Sequence, residues 1–287
     1  MPAASDPASF CSQILESGDL ASKLQAAPDF ADVDAARSVL PQKAAPDYPT
    51  RDAGLRMRTG AGPLPRPGAL GDPRARARCL ARFAHHELMA VELFAWAILR
   101  WPGVDEELKR GWLQALGEEQ MHCRLYLGRL EAHGSRLEEH LLSDYFWKHV
   151  PAIAASAGGP RAFLAAMGMT LEQANLDFAL LYRDAFRVAG DGASAAALQR
   201  VYDDEVRHVA LARDWLMRLS PEYAGDQIAA YEASVPFPLA AHRAKGRRFD
   251  LSGRRAAGLS ESLIEYVRSA RSSQELAGKS TLRRDSS

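Results

Sequence analysis

Three cysteines, at positions 11, 79 and 123, are all that 287 residues contain, and scattered in this way they exclude a disulfide framework. The opening segment, MPAASDPASF, has neither the basic start nor the apolar run of a secretory signal. The most apolar stretch, Leu88 to Leu99, is only twelve residues long and carries Glu92, so no bilayer-spanning segment and no membrane partner are expected and the cytoplasm is the default location. Net charge is also absent: Lys plus Arg and Asp plus Glu each total 36, which gives no global attraction to nucleic acid or anionic lipid. Period-two runs of β-branched residues are scarce, so strands are not expected. A 47% hydrophobic content with 25% charged residues is that of an ordinary globular chain able to bury a core.

Helical periodicity supplies the architecture. Residues 1–70 read as an N-terminal arm, with a short helix after Asp6-Pro7 that presents Phe10, Ile14 and Leu15, followed by a Pro/Gly/Arg-rich stretch. From Asp72-Pro73 the residues Leu80, Phe83, Glu87, Val91, Phe94 and Ile98 recur at three or four positions, until WPGVD at 101–105 breaks the pattern. A second helix carries Leu108, Trp112, Leu116, Glu119, His122, Tyr126 and Leu130 and stops at Gly134. Pro160 opens a third helix that reaches about Val188, and a fourth runs from about Ser194 to Leu219.

Two tight turns imply antiparallel pairs, whereas the stretch from Gly134 to Pro160 is long enough to return the chain to the other end. An all-α, ferritin-like four-helix bundle over 71–220, with one long crossover between helices 2 and 3, is therefore expected. Residues 221–287 form a C-terminal extension. From His242 onward it has eleven Lys/Arg against five Asp/Glu, and its last part is expected to be disordered.

The informative residues are acidic or imidazole groups inside apolar stripes, because burying them is costly unless they are paired or bound to metal. They follow the order Glu87, then Glu119-x-x-His122, then an acid on helix 3, then Glu205-x-x-His208. Positions i and i+3 share a helix face, so each Glu-x-x-His pair projects as a unit. Four carboxylates and two imidazoles suit two iron or manganese ions and are a poor match to thiolate-rich zinc sites. Cys123 projects about 100° away from His122 and is not counted as a ligand.

Turn counting supports Glu87, since Gly103 lies sixteen residues from both Glu87 and Glu119, whereas the competitor Glu92 lies about 140° round the helix. On helix 3, periodicity favours Glu172 and the count about Asp191 favours Asp177, and the residues alone leave both open. Glu118 and Asp204 precede the two Glu-x-x-His units and are candidates to accept the outer N–H of a bound imidazole, with salt bridges to Arg124 and Arg207 as the alternative. His85 is a further candidate for support beside Glu87. Tyr126 and Tyr202 lie a turn from the ligands.

HHELMAVEL (85–93), EEQMH (118–122), LEQANLD (171–177) and DDEVRHVALARDW (203–215) resemble the bacterial ferritin-like family known as domain of unknown function 455, a relative of the diiron tRNA hydroxylases. The resemblance covers roughly 70–265, including PFPLAAHR and AAGLSE. It implies Glu87, Glu119, Glu172, Glu205, His122 and His208 as ligands and so favours Glu172 on helix 3. Gln120-Met121 departs from the Ala-Arg that relatives often carry.

These readings lead to a cytoplasmic non-haem diiron or Mn/Fe oxidase or oxygenase. It would use O2 on an unidentified small-molecule or modified-nucleoside substrate, with electrons from a reductase, a small reductant or the substrate itself. Glu119 and Glu205 are expected to bridge the metals, with Glu87 and Glu172 terminal, and a homodimer is a candidate assembly. The alternatives are an iron-handling ferroxidase and a non-catalytic interaction module with structural metals.

Overall fold

The computed structural model describes residues 6–27, 44–60 and 62–272. The expected disorder at the end of the chain falls largely at 273–287, outside the described residues. Among those described, helix dominates, and extended pairing is confined to the parallel two-residue strands β1 (Met57–Arg58) and β2 (Leu142–Ser143), with Met57 opposite Leu142. The all-α class follows. No helix among the described residues is long and apolar enough to cross a membrane.

The chain divides into two compact units, one drawn from residues within 1–155 and 182–201 and the other from 156–181 and 202–287. In the first unit, α1 (Pro7–Glu16) starts where the Asp6 side chain accepts the N–H groups of Ala8 and Ser9, satisfying donors that have no partner within the helix. A second short helix, α2 (Leu20–Lys23), follows. The long helix α3 (Pro73–Arg100) begins with Asp72 as cap and Pro73 in the first turn and is buried along most of its length. It ends before Trp101-Pro102, as expected where a residue precedes proline.

Helix α4 (Glu106–Ala132) begins under Asp105 with Glu106 and Glu107 in its first turn, where negative charge suits the helix dipole. It finishes at Gly134, whose φ of 71° needs a residue without Cβ strain. A five-residue turn joins α3 to α4, and the two helices pack against each other.

The N-terminal arm is built into this unit. Helix α1 packs on α3, Thr50 N donates to Leu15 O at 2.8 Å, and Asp52 N donates to Gly18 O at 2.9 Å. Gln120 of α4 donates its amide to the carbonyls of Lys23 and Gln25 at 2.9 and 2.8 Å. The segment read as a crossover between helices 2 and 3 contains β2, a short turn of 3-10 helix at Trp147–His149 and helix α5 (Val150–Ala155). Asp191, in the turn before the fourth long helix, accepts from Ser194 N and contacts Arg129 and His133 at the end of α4.

The second unit contains α6 (Pro160–Ala166), a π-helical stretch at Met167–Glu172, and the first part of α7 (Gln173–Val188). It also holds the later part of α8 (Gly192–Arg218), then α9 (Gln227–Ser234), α10 (Leu251–Ala256) and α11 (Glu261–Ser269). These bounds agree closely with the helices expected from Pro160 to Val188 and from Ser194 to Leu219. The π stretch is a local widening of the helix, a feature often found where function constrains the chain. Thr170 within it bonds the Ala165 carbonyl at 2.7 Å and the Tyr231 hydroxyl at 2.8 Å.

Candidate metal centre

In the first unit, Glu87 of α3 and Glu119 and His122 of α4 bring ligand atoms within 4.8 Å of one another, all three side chains buried. His122 Nδ1 lies 3.4 Å from Glu119 Oε2, the closeness that the i,i+3 spacing dictates. Cys123 is turned away, its Sγ lying 3.2 Å from the Ala84 carbonyl. Burial, followed by the nearby Glu87 charge, pushes that thiol well above its ordinary pKa, so it stays protonated and is a poor metal ligand.

In the second unit, Glu172, the last residue of the π stretch, joins Glu205 and His208 of α8, again buried and with ligand atoms within 4.8 Å. His208 Nδ1 lies 3.8 Å from Glu205 Oε2. The other oxygen of that carboxylate, Oε1, accepts the Asn175 amide at 2.7 Å.

The two acidic competitors are both engaged elsewhere. Glu92 is fully buried in an ion cluster, 2.9 Å from Lys23 Nζ and 2.7 Å from Arg51, and it accepts Trp147 Nε1 at 2.9 Å. Burial pushes this carboxyl up, but Arg51 and then Lys23 outweigh it and hold the group below the usual carboxylate range. Asp177 is fully buried against Arg254.

The supporting residues meet different surroundings. Asp204 is buried and pairs with Arg207, whereas Glu118 is partly exposed and accepts the Gln114 amide at 3.2 Å. His85 is fully buried with neither ring nitrogen hydrogen-bonded. Burial first, and then Arg51, His86 and Arg82, hold its pKa well below the ordinary value, leaving a neutral ring. Tyr126 packs on Phe83 with ring centroids 5.4 Å apart, and Tyr202 donates to Asp250 at 2.8 Å.

Sequence reasoning passed over Asn175, although its position three residues after Glu172 on an otherwise apolar stripe was a usable signal. It also passed over Lys23, Arg51 and Arg254, whose partners lie far along the chain. Periodicity carries no record of such pairings.

A family model described as "Protein of unknown function (DUF455)" matches residues 16–265. The chain belongs to that family. The match runs from α3 into the first half of α11 and extends back through most of the arm, further toward the N-terminus than the roughly 70–265 that the motifs alone suggested. No curated protein and no solved structure matches the chain.

In each triad the donor set is two carboxylates and one imidazole, both anions buried. One divalent cation would balance the two negative charges, and mixed oxygen and nitrogen ligation suits iron or manganese. The residues present therefore fit one such ion in each triad.

Proposed function

We propose that this member of the DUF455 family is a non-haem dimetal protein that uses iron, or iron with manganese, and O2 to oxidise or hydroxylate a substrate. The observation that carries the reading is the occurrence of two buried Glu-Glu-His triads, each with its ligand atoms within 4.8 Å. Their union in one centre rests on the repeated Glu, Glu-x-x-His pattern and on the family resemblance. The matching fold is a ferritin-like four-helix bundle, with α3, α4, α6 through α7, and α8 as its long helices.

Glu87, Glu119 and His122 would hold one ion, and Glu172, Glu205 and His208 the other. Glu119 and Glu205 would be shared between the two ions, with Glu87 and Glu172 terminal. When bound in reduced form, the metal pair supplies the electrons and coordination sites for O2 activation. The protein's contribution is a pair of buried carboxylate sets that neutralise the ions and two imidazoles fixed in register with them. The apolar residues of α3 and α4 keep water away from Glu87, Glu119 and His122, which are themselves buried, and exclusion of water strengthens every ionic contact there. Electrons for repeated turnover would come from a reductase partner, a small reductant or the substrate.

The test is metal analysis of protein produced with iron and with manganese, followed by O2 consumption on addition of reductant. Two ions per chain and reductant-dependent O2 uptake are expected. No more than trace metal after both aerobic and anaerobic reconstitution would overturn the reading. Metal binding without O2 uptake would overturn its oxidase part.

A further inference from the structure

From the geometry we infer that Tyr231 and Thr170 are positioning residues for Glu172, which gives the C-terminal extension a part in building the metal centre. The inference rests on the dimetal reading. Tyr231 belongs to α9, outside the four long helices, and both side chains are buried, Thr170 at 0% and Tyr231 at 1% exposure. Thr170 Oγ1 lies 2.7 Å from the Ala165 carbonyl oxygen and 2.8 Å from the Tyr231 hydroxyl. A threonine hydroxyl has a single proton to give. The Ala165 carbonyl can only accept, so it takes that proton, and Tyr231 must donate the second bond.

These bonds hold the stretch that carries Glu172. Thr170 is the fourth residue and Glu172 the last of the π turn Met167–Glu172. Residues two apart on a helix project about 200° from each other, so the hydroxyl grips the chain from the side away from the ligand. The Glu172 carboxylate folds back over the same stretch, since a Cβ on Gly168 would sit 3.3 Å from its Oε2. The shape of the turn therefore sets the place of the carboxylate. Helix α9 also packs on α6, the segment immediately before the turn.

In a regular α-helix a threonine hydroxyl bonds the carbonyl three or four residues back. Thr170 instead reaches the carbonyl five residues back, the spacing of π geometry. The bond thus belongs to the widened form, and Tyr231 ties that form to a separate element. In a water-free interior, breaking the chain would leave its donors and acceptors unsatisfied. The turn is therefore kept wide in the metal-free protein, and Glu172 is in place before the ion arrives, which lowers the ordering cost of binding. Removing groups that orient ligands changes metal affinity by about 10- to 100-fold. Because the pair acts through the backbone and not on the carboxylate itself, its effect belongs near the lower end.

The test uses the full chain, stripped of metal and titrated anaerobically with Mn(II) against a chelator of known affinity, at a temperature where the metal-free protein is folded. Tyr231→Phe keeps the ring and removes only the hydroxyl, Thr170→Val keeps the shape without the hydroxyl, and Thr170→Ser keeps the hydroxyl. Glu172→Ala identifies the ion that depends on Glu172. In Glu87→Ala protein, where that ion alone is expected, the electron paramagnetic resonance spectrum of Mn(II) reports its ligand geometry. Tyr231→Phe and Thr170→Val should each bind the Glu172-dependent ion about 10-fold more weakly and alter the spectrum. The double variant should be little worse than either single one, since both break one chain of bonds. Thr170→Ser should stay close to wild type in affinity and spectrum. Tyr266→Phe, which removes a phenol that bonds Glu232 at 2.6 Å on the other side of α9, should leave both readouts unchanged whatever it does to stability.

Wild-type affinity and spectrum in folded Tyr231→Phe protein would overturn the positioning role, and so would a loss in Tyr266→Phe as large as that in Tyr231→Phe. A fall in stability alone would overturn it too, reducing the pair to a packing contact. If Thr170→Val does not fold, Tyr231→Phe and Thr170→Ser still decide the matter. Wild-type protein that takes up no Mn(II) or Fe(II) would instead overturn the dimetal reading itself, so the two failures are distinguishable.

Discussion

Asp177 and Arg254, 77 residues apart, form a fully buried ion pair at 2.7 Å. Backbone N–H groups of Gly246 and Asp250 donate to the same carboxylate at 2.8 and 2.6 Å, and Arg254 makes a second contact at 3.0 Å. With four donors on its two oxygens, Asp177 has its acceptor capacity committed to joining α7 to the segment around α10. The carboxylate that turn counting favoured as a metal ligand thus serves the fold of the second unit.

Asp177→Ala should therefore destabilise the protein without emptying the metal centre. It leaves the Arg254 guanidinium buried without its counter-ion, a change that costs about 3–5 kcal/mol in comparable buried pairs. Denaturant unfolding measures the loss, and metal analysis below the transition should give wild-type stoichiometry. Glu172→Ala should do the reverse, lowering metal occupancy with a smaller effect on folding. Metal loss in the Asp177 variant with retention in the Glu172 variant would move the terminal ligand to Asp177.

The ion cluster around Glu92 gives a prediction in pH. The folded carboxyl lies below its usual range because Arg51 and Lys23 overcome the opposing effect of burial. A depressed acid pKa contributes stability that is complete above the unfolded value, about 4.3, and is lost as pH falls through the folded value. Glu92→Gln should lower stability at neutral pH, because Lys23 and Arg51 then face each other without an anion, and should flatten the loss of stability below about pH 4. Unfolding free energy measured from pH 3 to 7 checks both effects. The metal content should not change, and a Glu92 variant that alone lost its metal would put the wrong residue of α3 in the site.

The helices were legible because their signals are local. Asp72-Pro73 and Gly134 punctuate α3 and α4 at the positions the structure uses, and WPGVD falls between them. The six ligand candidates were legible because Glu and His inside an apolar stripe conflict with the pattern around them. Three things were not legible. The arm's attachment depends on Lys23 and Arg51 finding Glu92 across long stretches of chain, and periodicity does not encode such pairings. The role of Asp177 depends on Arg254 in the same way. The π stretch at Met167–Glu172 changes the helical register on which turn counting relies, so a count that assumed an undistorted helix placed Glu172 out of level.

Glu119→Ala and Glu205→Ala should each remove both metal ions, since each carboxylate is assigned a shared position between them. Loss of one ligand from a terminal position, as in Glu87→Ala, should remove one ion. Elemental analysis after anaerobic reconstitution separates the two patterns. A single ion retained in both the Glu119 and the Glu205 variants would show that the triads act as independent mononuclear sites.

Gly168 tests whether the widened turn of the third long helix is needed to seat Glu172. It lies within the π stretch, and a Cβ added there would overlap the Cβ of Ala212 on α8 while sitting 3.3 Å from Glu172 Oε2. Ala212 is itself part of the buried core, so the clash cannot be relieved by swinging a flexible side chain into solvent. The backbones of the two segments must move apart, and overpacking of this kind costs typically about 1–3 kcal/mol. Because Glu172 lies four residues further on, the same movement should displace its carboxylate relative to Glu205 and His208. Gly168→Ala is therefore expected to lower the unfolding free energy and, in folded protein, to weaken the metal step assigned to the second unit while leaving the step assigned to Glu87, Glu119 and His122 intact. Ala212→Gly in the same chain opens space for the new methyl group and should restore much of both losses, the coupling expected of two residues in direct contact. Additive effects of the two substitutions, with no recovery of metal affinity, would show that close packing at Gly168 does not set the position of Glu172.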